Sequence, residues 1–152
     1  NNNINEIKKL VIYLEPGANI TKEIIDKICS KTLNAKIFDV LNKIVNKEKE
    51  EGIKLLDNIL AQKESIIKVY IMLYKQVKQM YMIKYLKSKN VQDIASYLGI
   101  HPYTFKLLSS TCSKYTLDDL KKIMYMFDEY DEKTKNGEMD FEIGLKKIIC
   151  TM

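Results

Sequence analysis

Apolar residues recur at helical spacing along almost the whole chain, and this pattern constrains the fold more than any other feature. From residue 37 onward they fall every three or four positions in segment after segment, with short connections between the segments. No segment alternates apolar and polar residues as a half-buried strand does. Five glycines and two prolines leave little material for the many turns of an all-β fold. We therefore predict an all-α fold, organised as a helical bundle.

Residues 64–87 differ from the other predicted helices because apolar side chains cover more than half of the helix circumference. A helix that is apolar on most sides is typical of the centre of a bundle, so we predict that this one is buried. Its apolar residues are Ile66, Ile67, Val69, Tyr70, Leu73, Tyr74, Val77, Met80, Tyr81 and Ile83. The longest uninterrupted apolar run, residues 69–74, is far shorter than the about 20 residues that cross a bilayer. We expect no membrane segment.

The helical spacing is lost at residues 30–36, and we place the only domain boundary there. Before it, residues 4–14 predict one helix, which should end before Glu15-Pro16-Gly17, and residues 21–28 predict a second short helix. We divide the chain into residues 1–30, which contain the two short helices, residues 31–36, a linker, and residues 37–152, the bundle. The sequence begins with Asn and not Met, so we expect a piece of a longer protein.

Capping residues predict several helix ends in the second half of the chain. We predict that Asn90 is an N-cap with Asp93 at the third helical position, that Gly99 ends this helix, and that Pro102 occupies the first turn of the next. The other predicted ends are a capping box of Thr116 with Asp119 and a stop at Asn136-Gly137.

Few residues offer the chemistry of catalysis or ligand binding. Neither common phosphate-binding glycine motif occurs, so we expect no nucleotide binding. His101 is the only histidine, and its place before Pro102 favours a capping or turn role over that of a general base. Cys29, Cys112 and Cys150 are too widely spaced for a zinc motif, and their odd number fits a reducing cytosol. We predict no catalytic residue, no cofactor and no metal.

Residues 91–110 also resemble a helix-turn-helix, with Ala95 in the first helix, Gly99 in the turn and Pro102 opening the second helix. A recognition helix presents polar side chains to base edges, but this second helix offers several apolar and aromatic residues with a single lysine, Lys106. Those residues are Tyr103, Phe105, Leu107 and Leu108. A DNA-binding regulator centred on 91–110 is therefore an alternative hypothesis, and an unrelated helical scaffold is another.

The charge pattern limits what DNA contact the chain could make. All 25 basic residues are lysine, and the net charge is +5. Without arginine the chain cannot form the bidentate contact with guanine that most often reads sequence. We expect DNA binding to be weak and non-specific at most. Three tyrosines, Tyr70, Tyr74 and Tyr81, should pack in the core, whereas Tyr97, Tyr103, Lys106 and Tyr115 are our candidates for a surface that contacts a protein partner.

Five segments, in order, are similar to the C-terminal part of the delta subunit of bacterial DNA polymerase III, a component of the clamp loader. They are residues 5–14, 37–44, 59–80, 94–108 and 117–149. The most specific are IASYLGIHPYTFKLL and LDDLKKIMYMFDEYDEKTKNGEMDFEIGLKKII, and Asp131, Lys135 and Gly137 hold positions typical of the family. The resemblance extends over nearly the whole chain.

The resemblance implies that residues 1–30 end the family's lid domain and that residues 37–152 form its helical collar. In this family the collar holds the subunit in a ring with the tau/gamma and delta-prime subunits. The sliding clamp would be contacted by an N-terminal AAA+-like domain that this sequence lacks. The delta subunit is not itself an ATPase, so the resemblance implies a non-catalytic oligomerisation domain that supports clamp loading in the bacterial cytoplasm.

Overall fold

The computed structural model describes residues 2–29 and 31–152, and within these ranges it contains nine α-helices and no strands. The predicted all-α fold is confirmed. The helices are α1 (Asn2–Tyr13), α2 (Lys22–Ile28), α3 (Leu33–Val45), α4 (Lys49–Ala61), α5 (Ile66–Ser88), α6 (Ile94–Tyr97), α7 (Pro102–Cys112), α8 (Leu117–Lys135) and α9 (Phe141–Thr151). None of these helices is long and apolar enough to span a lipid bilayer.

The chain divides into two compact units, with the boundary between Ala35 and Lys36. In the first unit α1 packs on α2, and the Thr21 hydroxyl caps α2 by accepting a hydrogen bond from the Ile24 N–H at 3.4 Å. Five apolar residues of α1 are at least half exposed, namely Ile4, Ile7, Val11, Ile12 and Tyr13. Two short helices bury little apolar surface between them.

Helix α3 begins earlier than the sequence analysis predicted. The Thr32 hydroxyl accepts a hydrogen bond from the Ala35 N–H at 3.3 Å, which caps the first turn. Residues 33–36, which we had placed in the linker, are therefore helical. The assignment of residues 1–30 and 37–152 to two different domains stays a prediction.

Helix α5 is the centre of the second unit, as predicted. It contacts α6, α7, α8 and α9, and α9 also packs on α4 and α8. Five of its residues are no more than 1% exposed, namely Val69, Leu73, Val77, Met80 and Ile83. Helices α3 and α4 approach each other closely at the buried Gly52, where an added Cβ would lie 3.1 Å from Cγ1 of Ile44.

Tyr70 ties α5 to α8 and α9 within this core. Its ring meets those of Phe127 and Phe141 edge-on, at centroid distances of 5.1 and 5.5 Å, and its hydroxyl donates to the carbonyl of Phe127. Burial and the nearby Asp131 and Asp128 carboxylates raise the pKa of Tyr70, so it stays protonated. Core packing of Tyr70 is confirmed. The other two predicted core tyrosines, Tyr74 and Tyr81, are only half-buried.

Asn90 ends a helix and does not begin one, so its prediction as an N-cap is wrong. It adopts the left-handed conformation, with φ of 55°. The Asn90 N–H donates to the Lys87 carbonyl, and the Val91 N–H donates to the Leu86 carbonyl, both at 3.1 Å. This is the Schellman arrangement, which asparagine tolerates better than most residues. The N-cap of α6 is Asp93, whose carboxylate accepts a hydrogen bond from the Ser96 N–H at 3.3 Å.

The predicted capping box at the start of α8 is confirmed. The Thr116 hydroxyl accepts from the Asp119 N–H at 3.0 Å, and the Asp119 carboxylate accepts from the Thr116 N–H at 2.8 Å. Hydrogen bonds from Thr116 lower the pKa of Asp119. Because the folded-state pKa is depressed, this contribution to stability is complete at neutral pH. It is lost as the pH falls through the lowered pKa.

Replacing Leu73 with alanine should cost about 2–5 kcal/mol in the free energy of unfolding, because it leaves a cavity in the core around α5. Ile71 on the same helix is 59% exposed, so Ile71→Ala is the matched control and should change stability by no more than about 0.5 kcal/mol. Urea denaturation of both variants measures the two costs. Equal costs would contradict the described orientation of α5.

Replacing Thr116 with alanine should cost about 0.5–2 kcal/mol at pH 7, since the N-terminus of α8 loses its cap. The cost should become smaller at strongly acidic pH, because the Thr116 hydroxyl helps to lower the pKa of Asp119 and this part of its contribution disappears once Asp119 is protonated. Denaturation of both proteins at pH 7 and at pH 2 provides the comparison. A cost that does not change with pH would mean that the Thr116 hydroxyl does not stabilise the Asp119 carboxylate.

Candidate interaction surface

The segment that resembles a helix-turn-helix consists of one helical turn, a glycine turn and a helix of 11 residues. Gly99 has a φ of +61° and ends α6 in a second Schellman arrangement, with the Ile100 N–H donating to the Ala95 carbonyl at 3.0 Å. His101 then caps α7, because its Nδ1 accepts a hydrogen bond from the Tyr103 N–H at 3.2 Å. Pro102 takes the first helical position, where the missing N–H costs nothing. The predictions for Gly99, His101 and Pro102 are confirmed.

Helix α7 uses its apolar side to pack against α5. Leu108 and Cys112 are buried, and burial raises the pKa of the Cys112 thiol. The half-buried Phe105 ring lies 5.8 Å from Nζ of Lys87, which belongs to α5. Together with the single turn of α6, this packing leaves Lys106 as the one charged residue with which α7 could reach base edges.

Three of the four candidate interface residues are exposed. Tyr97 and Tyr103 have exposed fractions of 68% and 64%, and Lys106 is also exposed. Tyr103 and Lys106 are three residues apart on α7 and therefore lie on the same side of that helix. These side chains are accessible to a partner, but their role as contact residues stays a prediction.

Tyr115, the fourth candidate, lies apart from the others, in the connection between α7 and α8. It is half-buried, and its hydroxyl lies 3.5 Å from the Met152 carbonyl, to which it donates. Burial, with a smaller effect of Asp119, raises the pKa of Tyr115 to about 12. The structure therefore gives Tyr115 a packing role within the second unit, while contact with a partner is untested.

Sequence reasoning missed an exposed face on α5. We define the α5 outer face as six residues on one side of that helix, spaced three or four apart. They are Ile67, Ile71, Lys75, Lys78, Met82 and Tyr85. The sequence analysis counted Ile67 with the buried stripe, but it is 51% exposed. The signal that could have revealed this face is the position of Lys75 and Lys78, which continue the same helical row as Ile67 and Ile71.

The residues that carry the family resemblance near the end of α8 have structural roles. Lys135 pairs with Asp131 at 2.5 Å, one turn apart on an exposed surface, where such pairs contribute little to stability. Gly137, with φ of +77°, ends α8 and lets the Glu138 N–H donate to the Lys133 carbonyl at 2.8 Å. Among the described residues no three His, Cys, Asp or Glu side chains are grouped as metal ligands.

Comparison with known proteins gives one consistent result. Residues 34–152 match the family described as DNA polymerase III delta subunit, C-terminal domain. The chain is 27% identical over 149 residues to DNA polymerase III subunit delta of Bacillus subtilis (strain 168), covering 97% of this chain and 43% of that protein.

A solved structure, that of the Bacillus subtilis DNA clamp loader delta protein, matches with a TM-score of 0.85 and 26% sequence identity. The match covers 96% of this chain and 44% of the solved chain, so the sequence spans less than half the length of its relatives. The resemblance noted from sequence motifs is confirmed. The chain belongs to the DNA polymerase III delta subunit family, and the part of it that matches the family is the C-terminal domain.

Proposed function

We propose that residues 37–152 are the collar that holds a clamp-loader delta subunit in a ring with the tau/gamma and delta-prime subunits. The observation that carries this proposal is the family match over residues 34–152, supported by the TM-score of 0.85 with a clamp loader delta protein. In this proposal the collar is non-catalytic and supports loading of the sliding clamp onto DNA. The motor activity would belong to neighbouring subunits.

The packing of the second unit is consistent with a structural domain that holds other domains in position. It has its own core around α5, and its helix ends are fixed by caps such as Thr116 and His101. A rigid bundle of this kind can present fixed surfaces to several neighbours at once. Residues 1–30 would be the end of the lid domain, and the sliding clamp would be contacted by the N-terminal part of the full protein, in the bacterial cytoplasm.

The 152-residue chain should bind purified tau/gamma with a dissociation constant in the range of tens of micromolar or lower. Deleting residues 1–30 should leave this binding intact and lower the melting temperature by only a few degrees, because Thr32, α3 and the core around α5 are retained. Titration calorimetry and thermal denaturation of both proteins test this. Unfolding of the shortened chain would contradict the domain division, and no binding by the 152-residue chain would contradict the collar function.

Binding to duplex DNA should be weak, independent of sequence and reduced by salt, since the basic residues are lysines and α7 buries its apolar side. Fluorescence anisotropy with two unrelated duplexes at low and physiological salt measures this. A preference of about tenfold or more for one duplex that persists at physiological salt would favour the DNA-binding regulator instead.

A further inference from the structure

The α5 outer face is an uncovered surface on the central helix of the second unit. Ile67 and Ile71 are 51% and 59% exposed, and Tyr85 near the other end of the helix is 40% exposed. Tyr85 stacks on Tyr81, with ring planes 10° apart and centroids 6.3 Å apart. From residue 67 to residue 85 the face is about 27 Å long at a rise of about 1.5 Å per residue. This length matches about five turns of a second helix.

The charges on this face all have the same sign. Residues 65–92 contain six lysines and no aspartate or glutamate, and Lys75 and Lys78 lie in the middle of the face. Two carboxylates close to α5 already have partners. Glu64 pairs with Lys68 at 3.6 Å, and Asp128 of α8 accepts a hydrogen bond from the Tyr74 hydroxyl. The face is thus apolar toward its ends and positive at its centre.

We propose that the α5 outer face binds an amphipathic helix of a neighbouring clamp-loader subunit, one whose apolar side chains are accompanied by aspartate or glutamate. This inference rests on the proposed collar function and adds to it the contact surface and the chemistry of the partner. Apolar residues of the partner would cover Ile67 and Ile71, and its carboxylates would meet Lys75 and Lys78. Complementary charge of this kind orients a helix and selects its partner.

Two other occupants fit the face less well. In a two-fold symmetric pair of this chain, antiparallel α5 helices would place Lys75 and Lys78 opposite the same lysines, and like charges would repel. A nucleic acid would use the lysines but would leave Ile67 and Ile71 without a function, because phosphate contacts need cationic or hydrogen-bonding groups. The combination of exposed isoleucine and lysine favours a protein helix.

The test compares two double variants of the 152-residue chain. I71S/K75E changes an exposed isoleucine and a lysine one turn later on α5, and I143S/K147E makes the same changes on α9, where Ile143 is 53% exposed and Lys147 is exposed. Circular dichroism checks that both variants fold. Titration calorimetry then measures binding to purified tau/gamma and delta-prime subunits.

We expect I71S/K75E to weaken binding to one of these subunits by about tenfold or more, and I143S/K147E to change it by less than about twofold. The single variant Lys75→Glu, which removes no apolar contact, should also weaken binding and reduce its dependence on salt, while Lys75→Arg should retain both.

Three other outcomes would contradict the collar function, the choice of surface or the choice of partner. If the unmodified chain binds neither subunit, the proposed collar function fails and this inference fails with it. If it binds and I71S/K75E binds equally well, the collar function stands but the surface is wrong. If I71S/K75E instead abolishes self-association or binding to a single-stranded oligonucleotide, and leaves subunit binding intact, the face has a different occupant.

Discussion

Burial of α5 is the interaction on which the rest of the second unit depends. This helix packs against α6, α7, α8 and α9, and its side toward them is made of residues that are almost completely buried. The helix lacks a side-chain hydrogen bond at its N-cap, Ser65, so packing and not capping holds it in place. Tyr70 adds one directional contact, its hydrogen bond to the Phe127 carbonyl, which fixes the position of α8 against α5.

Much of this fold was predictable because local chemistry specifies most of the helix ends. The Thr116 and Asp119 pair, His101 before Pro102, and Gly99 each act within a few residues of their own position, and the structure places them as predicted. The errors also have local causes. Asn90 can serve either end of a helix, and here its left-handed conformation lets the N–H groups of Asn90 and Val91 bond the last carbonyls of α5. The Thr32 cap starts α3 at Leu33, within the segment that we had predicted as a linker because it lacks apolar periodicity.

The candidate surface was less predictable, since exposure depends on which neighbours cover a helix. In α5 apolar residues surround most of the axis, so the sequence alone does not say which side remains uncovered, and Ile67 was assigned to the wrong side. Tyr115 shows the opposite error, because a residue in a connection between helices became half-buried. Tyr97 and Tyr103 were correctly expected to be exposed. They lie on either side of the turn between α6 and α7, whose helix ends are capped by Gly99 and His101. The family, by contrast, was recognisable from motifs whose residues mainly set helix ends.

The order of helices along the chain has a consequence for synthesis on the ribosome. Helix α5 is complete at Ser88, whereas the helices that bury most of its surface, α7, α8 and α9, follow it, and α9 ends only at Thr151. At a translation rate of about 5–20 residues per second, roughly 3 to 13 seconds pass between completion of α5 and completion of α9. During that interval the nascent polypeptide exposes the apolar side of α5 to solvent and to chaperones. Cotranslational folding of the second unit must therefore finish late, when its last helix emerges.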